Sequence, residues 1–220
     1  MKYRILAGAA SVALFASAAA AQVCQGDLSF RSSSTHIGGN VGISDHTTTF
    51  GGAAMFGHTQ GLYGGGSLGM MSIDGLSGNS LMLGGAVGYA LPIANRNAWQ
   101  LCPAATLSLG FGPSETVAGT TVHTSTQAFT LGATGGRAFP LNKDVTLLPF
   151  GSAALGHTTL RASANGNSGS TSDTYLLLGF GAGFQFSPNL ILRPALSIAA
   201  GADLVDDTVF SFAVSFALPR

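Results

Sequence analysis

The chain has 220 residues, 46% of them hydrophobic and only 8% charged, with nine Lys and Arg balanced by nine Asp and Glu. That balance excludes a nucleic-acid-binding protein, which needs a basic surface to meet phosphates. Soluble domains ordinarily carry about 25% charged residues, so a water-soluble enzyme of ordinary composition is disfavoured as well.

At the N-terminus, Lys2 and Arg4 precede an uncharged apolar run from Ile5 to Ala18, and Ala19-Ala20-Ala21 stands before Gln22. A positive start, an apolar stretch and small residues at the cut describe a secretory signal peptide, here residues 1–21. Cys24 follows closely, but Val23 precedes it where a lipid-modification site takes Gly or Ala. Removing Lys2 and Arg4 leaves the acids in slight excess. No later run reaches the roughly 18 apolar residues of a membrane-spanning helix. An exported chain this apolar is then either a soluble all-β domain or a closed barrel that crosses the membrane with strands.

Residues 22–33 form a short segment, assigned to the periplasm or to a plug inside the barrel. Ile37, Gly39, Val41 and Ile43 then mark one weak strand. A hairpin repeat follows. Its first half is seen at Leu83 to Pro92 (LGGAVGYALP) and at Leu131 to Pro140 (LGATGGRAFP), with looser copies from Phe50 and Leu178. The second half, L-x-P-x-x-[ST]-x-x-x-G, is seen from Leu101, Leu147 and Leu192, with a degenerate copy at Leu62. Each unit reads as a strand, a tight turn and a returning strand. Between the units lie longer polar connections at 74–79, 112–125, 158–174 and 202–208. The last strand alternates Phe210, Phe212, Val214, Phe216 and Leu218 with Ser211, Ala213, Ser215 and Ala217. Four hairpins and two terminal strands predict ten strands. Eight is the alternative if residues before Thr47 are not a strand and another is miscounted.

The two faces of these strands separate barrel from sandwich. A soluble sandwich buries its large residues and turns a polar, charged face to water. Here one face is Leu, Phe and Val, the other is Gly, Ala, Ser and Thr, and both lack charge, which suits lipid outside and an interior inside. The fold expected is all-β, an antiparallel transmembrane up-and-down β-barrel over residues 34–218. Short turns on one side and long loops on the other fit this arrangement.

On its signal peptide, alternation and aromatic-rich last strand, the chain resembles the small outer-membrane β-barrel families of Gram-negative bacteria, the opacity-type and porin-like barrels. The resemblance implies the cell outer membrane, contact with lipid and lipopolysaccharide, insertion by the barrel-assembly machinery, a monomer, and no cofactor. Such chains usually end on an aromatic residue. This one ends Phe216-Ala217-Leu218-Pro219-Arg220, leaving Phe216 for that role.

Charge sorts by side. The loop side holds Asp45, Asp74, Glu115, Asp173, Asp203, Asp206 and Asp207 with one base, Arg161; the turn side holds Arg96, Arg137, Lys143, Arg193 and Arg220 with one acid, Asp144. The acidic rim reads as solvated loops or as an attractor of cations. His46, His123 and His157 are weak metal candidates, since they come from separate loops without metal-site spacing. His36 and His58 read as structural. No catalytic constellation is present: Asp45-His46 is the single adjacent acid and base, and nothing marks a nucleophile beside it. Two functions remain, a passive structural or surface-exposed barrel and a small, weakly selective diffusion pore. Inward Gly, Ala, Ser and Thr leave an interior that side chains do not fill, with Tyr63, Phe150 and Arg193 as the lumen-lining residues able to narrow or charge it. Cys24 and Cys102 are the chain's two cysteines and, in an oxidising compartment, are expected to form a disulfide that holds the N-terminal segment to the barrel.

Overall fold

A computed structural model of the chain describes residues 35–57, 61–74, 78–91, 100–112, 115–117, 120–165, 167–187 and 189–218. The signal peptide, the segment 22–33 and Cys24 lie outside the described residues.

The strands run β1 (Thr35–Ile43), β2 (Thr47–Gly57), β3 (Leu62–Ile73), β4 (Asn79–Tyr89), β5 (Gln100–Phe111), β6 (Glu115–Val117), β7 (Thr120–Gly136), β8 (Phe139–Pro140), β9 (Thr146–Ala164), β10 (Asn167–Ser187), β11 (Leu190–Ala200) and β12 (Thr208–Leu218). Ten are long. The short β6 and β8 each extend a connection, pairing with β7 and β9 respectively. Every pairing is antiparallel, the ten long strands follow one another around the wall in chain order, and β1 pairs with β12 from Thr35↔Leu218 to Ile43↔Phe210, which closes the cylinder. Closure leaves no edge unpaired in hydrocarbon, the condition a spanning sheet must meet. No helix occurs among the described residues. The protein is an all-β antiparallel barrel of ten strands, so the eight-strand alternative is set aside.

Alternation sets the two faces. Phe50, Leu68, Leu83, Leu107, Leu131, Leu155 and Phe180 are exposed on the outer wall, Leu155 at 63%. Several meet a neighbour directly across the ladder, as in Leu68↔Leu83 and Leu131↔Leu155, so the apolar belt is continuous from strand to strand. Exposure of this many large apolar residues is the signature of a lipid-facing surface rather than a wet one.

The inner face differs from the sequence reading in two ways. First, the inward glycines do not leave an open lumen at their positions. Tyr63 stands opposite Gly88, Phe150 opposite Gly181, Tyr175 opposite Gly156 and Met55 opposite Gly65. A Cβ on any of these glycines would collide with the side chain across from it. Each glycine is the seat on which a neighbouring strand's large side chain lies flat against the wall. Single-strand patterns hide this, because the pairs exist only in the register.

Second, the connections 112–125 and 158–174 are not long irregular loops. β7 begins at Thr120 and pairs with β9 as far as Val122↔Ala164, and β9 pairs with β10 as far as Ala164↔Asn167. Thr and Ser make good strands once neighbours complete the ladder, whatever their polarity. The turn between β9 and β10 carries Asn165 at φ 50°, the left-handed conformation that Asn tolerates, with Gly166 next in sequence. Asn-Gly is the strongest short hairpin signal there is. β9 and β10 therefore have 19 and 21 residues where about ten suffice to span. At the rim, Leu176 pairs with Ala200, the last residue of β11. Everything on β10 from Asn167 to Tyr175 stands beyond that level.

Candidate functional site

The loop-side mouth is where the chain departs from a plain cylinder. Between β11 and β12 the acidic connection GADLVDD contains two apolar residues, Leu204 and Val205, and both are buried, at 6% exposure each. They join one cluster with Met71 and Ile73 of β3, Met82 of β4, Ala128 of β7, Tyr175 and Leu177 of β10, Ala199 of β11 and Val209 of β12. These belong to the inward faces of six strands. The loop therefore folds into the barrel and seats a Leu-Val pair across its mouth. Gly201 begins the inward turn at φ +77°.

Two carboxylates hold it there. The Asp206 Oδ2 accepts from the Ser44 hydroxyl at 2.5 Å and the Thr47 hydroxyl at 3.1 Å, tying the stopper to the β1–β2 turn. The Asp173 Oδ2, on the inward face of β10, accepts from the backbone N–H of Asp203 at 2.7 Å and of Leu204 at 3.3 Å. Of the acidic rim read from the sequence, these two carboxylates are engaged in hydrogen bonds within the protein, while Asp45, Asp74, Asp203 and Asp207 are exposed. Sequence reasoning missed Leu204, Val205, Ser44 and Thr47. The signal available was an apolar pair inside an acidic loop.

The turn-side half of the interior is packed differently. Tyr63, Met55 and Cys102 form a second buried cluster, and the Tyr63 hydroxyl donates to the Pro103 carbonyl at 3.4 Å. Phe150 is buried on the inner wall of β9. Arg193 of β11 is buried and lines a small cavity with His36, Met55 and Ser215, placing positive charge in this half. Cys102 is buried, and no free cysteine occurs among the described residues. Between the clusters the wall carries hydroxyls, with Thr106 and Thr130 bonded at 2.5 Å, beside a cavity of about 20 Å³ lined by Thr134, Ser152 and Leu177 among others. That is room for a single water.

The three histidines are not brought together. His123 pairs with Ser163, whereas His157 stands opposite Phe129, six residues farther along β7, roughly 20 Å away at 3.3 Å per residue. His157 Nδ1 is 2.9 Å from the Thr174 hydroxyl. His46 lies in the β1–β2 turn and is exposed. Among the described residues no group of three His, Cys, Asp or Glu side chains is placed to hold a metal. His58 lies outside the described residues, and His36 is buried on the inner face of β1.

The family model of the outer membrane protein beta-barrel domain matches residues 7–217. This chain belongs to that family. Its place is accordingly the outer membrane. No curated protein matches the chain. Among solved structures it is similar to Ail, the attachment invasion locus protein of Yersinia pestis, at 18% identity and a TM-score of 0.44, covering 84% of this chain and 97% of that one. The N-terminal β-barrel domain of Pseudomonas aeruginosa OprF is similar at 16% identity and 0.41, covering 84% and 98%. The KdgM porin is similar at 8% identity and 0.41, covering 84% and 99%.

Proposed function

We propose that this barrel serves as a surface-presenting protein rather than a conduit, carrying no catalytic role. The observation behind this reading is the extension of β7, β9 and β10 past the rim marked by Ala200, together with a mouth stoppered by Leu204 and Val205. The projecting strands present Thr, Ser, Asn and Arg161 to water, and a stiff, hydrogen-bonded sheet holds them in one arrangement. A flexible loop would spend conformational entropy on every contact it made.

In this reading the signal peptide 1–21 exports the chain, the barrel-assembly machinery inserts it, lipid and lipopolysaccharide surround a monomer, and the loops face outward with the turns in the periplasm. Conductance in a planar bilayer tests the central point. The folded protein is expected to give no ion steps; steady channels in the unmodified protein would favour the pore instead. An epitope inserted at Asn165 should label on intact cells, and labelling only after permeabilisation would invert the topology. A pore opened by withdrawal of the loop would be weakly selective, with Arg193 as its charged wall residue.

The disulfide between Cys24 and Cys102 belongs to the same proposal. It would hold segment 22–33 against the turn-side half of the interior, where Tyr63, Met55 and Cys102 cluster. By the loop-entropy relation a bridge over so long a span contributes about 4 kcal/mol. Mass spectrometry without reduction should find both cysteines resistant to alkylation; modification of both would end the idea and the plug with it.

A further inference from the structure

The connection between β7 and β9 on the turn side holds two bases, Arg137 and Lys143. Phe129 and Leu131 are exposed on the outer wall of β7, and the same alternation puts Arg137 on the outer, lipid-facing column. Its guanidinium lies over the Phe139 ring, 4.9 Å from the centroid. The Arg137 Nε is buried without a hydrogen-bond partner among the described residues. Beyond it, Phe139 and Leu141 are exposed, Leu141 at 57%. Lys143 is exposed in the same turn, as is Asp144, the acid of this side. The turn is a built one: the Arg137 N–H donates to the Pro149 carbonyl, the Leu141 N–H to the Val145 carbonyl, and the Asn142 Oδ1 accepts from the N–H of Asp144 and Val145, both at 2.8 Å.

Two cations thus stand where the apolar column ends, next to aromatic and aliphatic side chains that enter lipid. A cation there sits at headgroup depth, with its stem in hydrocarbon and its charge toward the interface. The ring holds the guanidinium plane in one orientation, which preorganises it for the paired oxygens of a phosphodiester, the geometry in which Arg exceeds Lys. Asp144 lies on the far side of Lys143 in sequence and leaves the pair a net positive charge.

We infer that Arg137, supported by Phe139 and joined by Lys143, is a binding site for the phosphate of an anionic phospholipid at the turn-side rim of the barrel. The ligand is a lipid headgroup rather than a free anion, because the exposed Phe139 and Leu141 beside the two bases set them at the edge of the lipid-facing wall, where phosphates come attached to acyl chains.

Native mass spectrometry of the folded barrel released from nanodiscs of phosphatidylethanolamine with phosphatidylglycerol reads the site directly. The unmodified protein should retain phosphatidylglycerol over phosphatidylethanolamine. Each of Arg137→Gln and Lys143→Gln should lower that preference about five-fold, and the pair about 25-fold, as expected when each juxtamembrane base contributes about equally. Phe139→Leu should weaken retention while keeping both charges, and Asp144→Asn should strengthen it. Arg161→Gln, at the other end of the molecule, should change nothing. Heat-dependent gel migration confirms that each variant is folded. Unchanged retention in the folded Arg137→Gln, Lys143→Gln protein overturns the site, as does an equal loss in Arg161→Gln. Displacement by inorganic phosphate at millimolar concentration, or a preference for lipopolysaccharide that depends on Arg137, would also overturn it.

Discussion

Gly88→Val is expected to destabilise the barrel by about 1–3 kcal/mol, the usual cost of forcing extra carbon atoms into filled space, but should cost much less in a chain that already carries Tyr63→Ala. The reason is the pairing Tyr63↔Gly88 on the inner wall, where the phenol ring occupies the volume a Cβ would need. On its own, Tyr63→Ala should cost about 3 kcal/mol, since it empties the space over Gly88 and gives up the bond to the Pro103 carbonyl. In the double variant valine refills part of the vacancy. The coupling should therefore be strongly favourable, about 1–2 kcal/mol, as for residues in direct contact. Urea-dependent folding into lipid vesicles measures all four chains. Additive losses would mean that the ring does not lie on the glycine. Gly156 with Tyr175 and Gly181 with Phe150 offer the same cycle elsewhere in the interior.

The stopper should be held mainly by its apolar pair. Burying Leu204 and Val205 contributes about 1.5–3 kcal/mol each, whereas hydrogen bonds to a charged acceptor are worth about 1.5–3 kcal/mol apiece when buried, and the two at Asp206 share one half-buried oxygen, which holds them below that scale. Leu204→Ser with Val205→Ser is accordingly expected to release the loop, with hydrogen-exchange protection lost at the Asp203 and Leu204 amides that donate to Asp173. Asp206→Ala should only shorten that protection, by about ten-fold or somewhat more, and leave the loop seated. If Asp206→Ala released the loop and the double serine variant did not, the carboxylate and not the apolar pair would be the latch.

These two sites show where the sequence is readable and where it stops. Strand positions, the outward columns and the closing strand Val209 to Leu218 follow from a period of two, which a single strand displays by itself. What fills the interior does not. Gly84, Gly88 and Gly181 look like vacancies when each strand is read alone, because the residue that covers a glycine sits on the neighbouring strand at a register no single segment encodes. The length of β9 and β10 was a different kind of miss: Asn165-Gly166 announces a hairpin in so many letters, but the flanking Thr and Ser lack the apolar alternation by which the other strands were found. Leu204 and Val205 were hidden by their acidic company. That His46, His123 and His157 come from separate connections is plain in the sequence; the β7–β9 register, which is not, sets His123 and His157 six residues apart along the wall.

Closure by β1 and β12 has a kinetic consequence. Every other contact around the wall joins strands adjacent in the chain, apart from the short excursions through β6 and β8, so each can zip from its own turn. The pairing Ile43↔Phe210 instead joins residues near opposite ends of the barrel sequence, while Ile43↔Thr48 spans a tight turn. With loop-closure entropy growing as the logarithm of length, the first of these costs about 3 kcal/mol more than the second before any contact is made. Assembly should therefore advance hairpin by hairpin and wait at a single late event, the meeting of β1 with β12. Gly38, Gly39 and Gly42 give β1 little apolar surface with which to hold that encounter. The last strand, with Phe210, Phe212 and Phe216, must supply most of the grip, and substitutions along it should slow insertion more than equal losses of apolar area elsewhere on the wall.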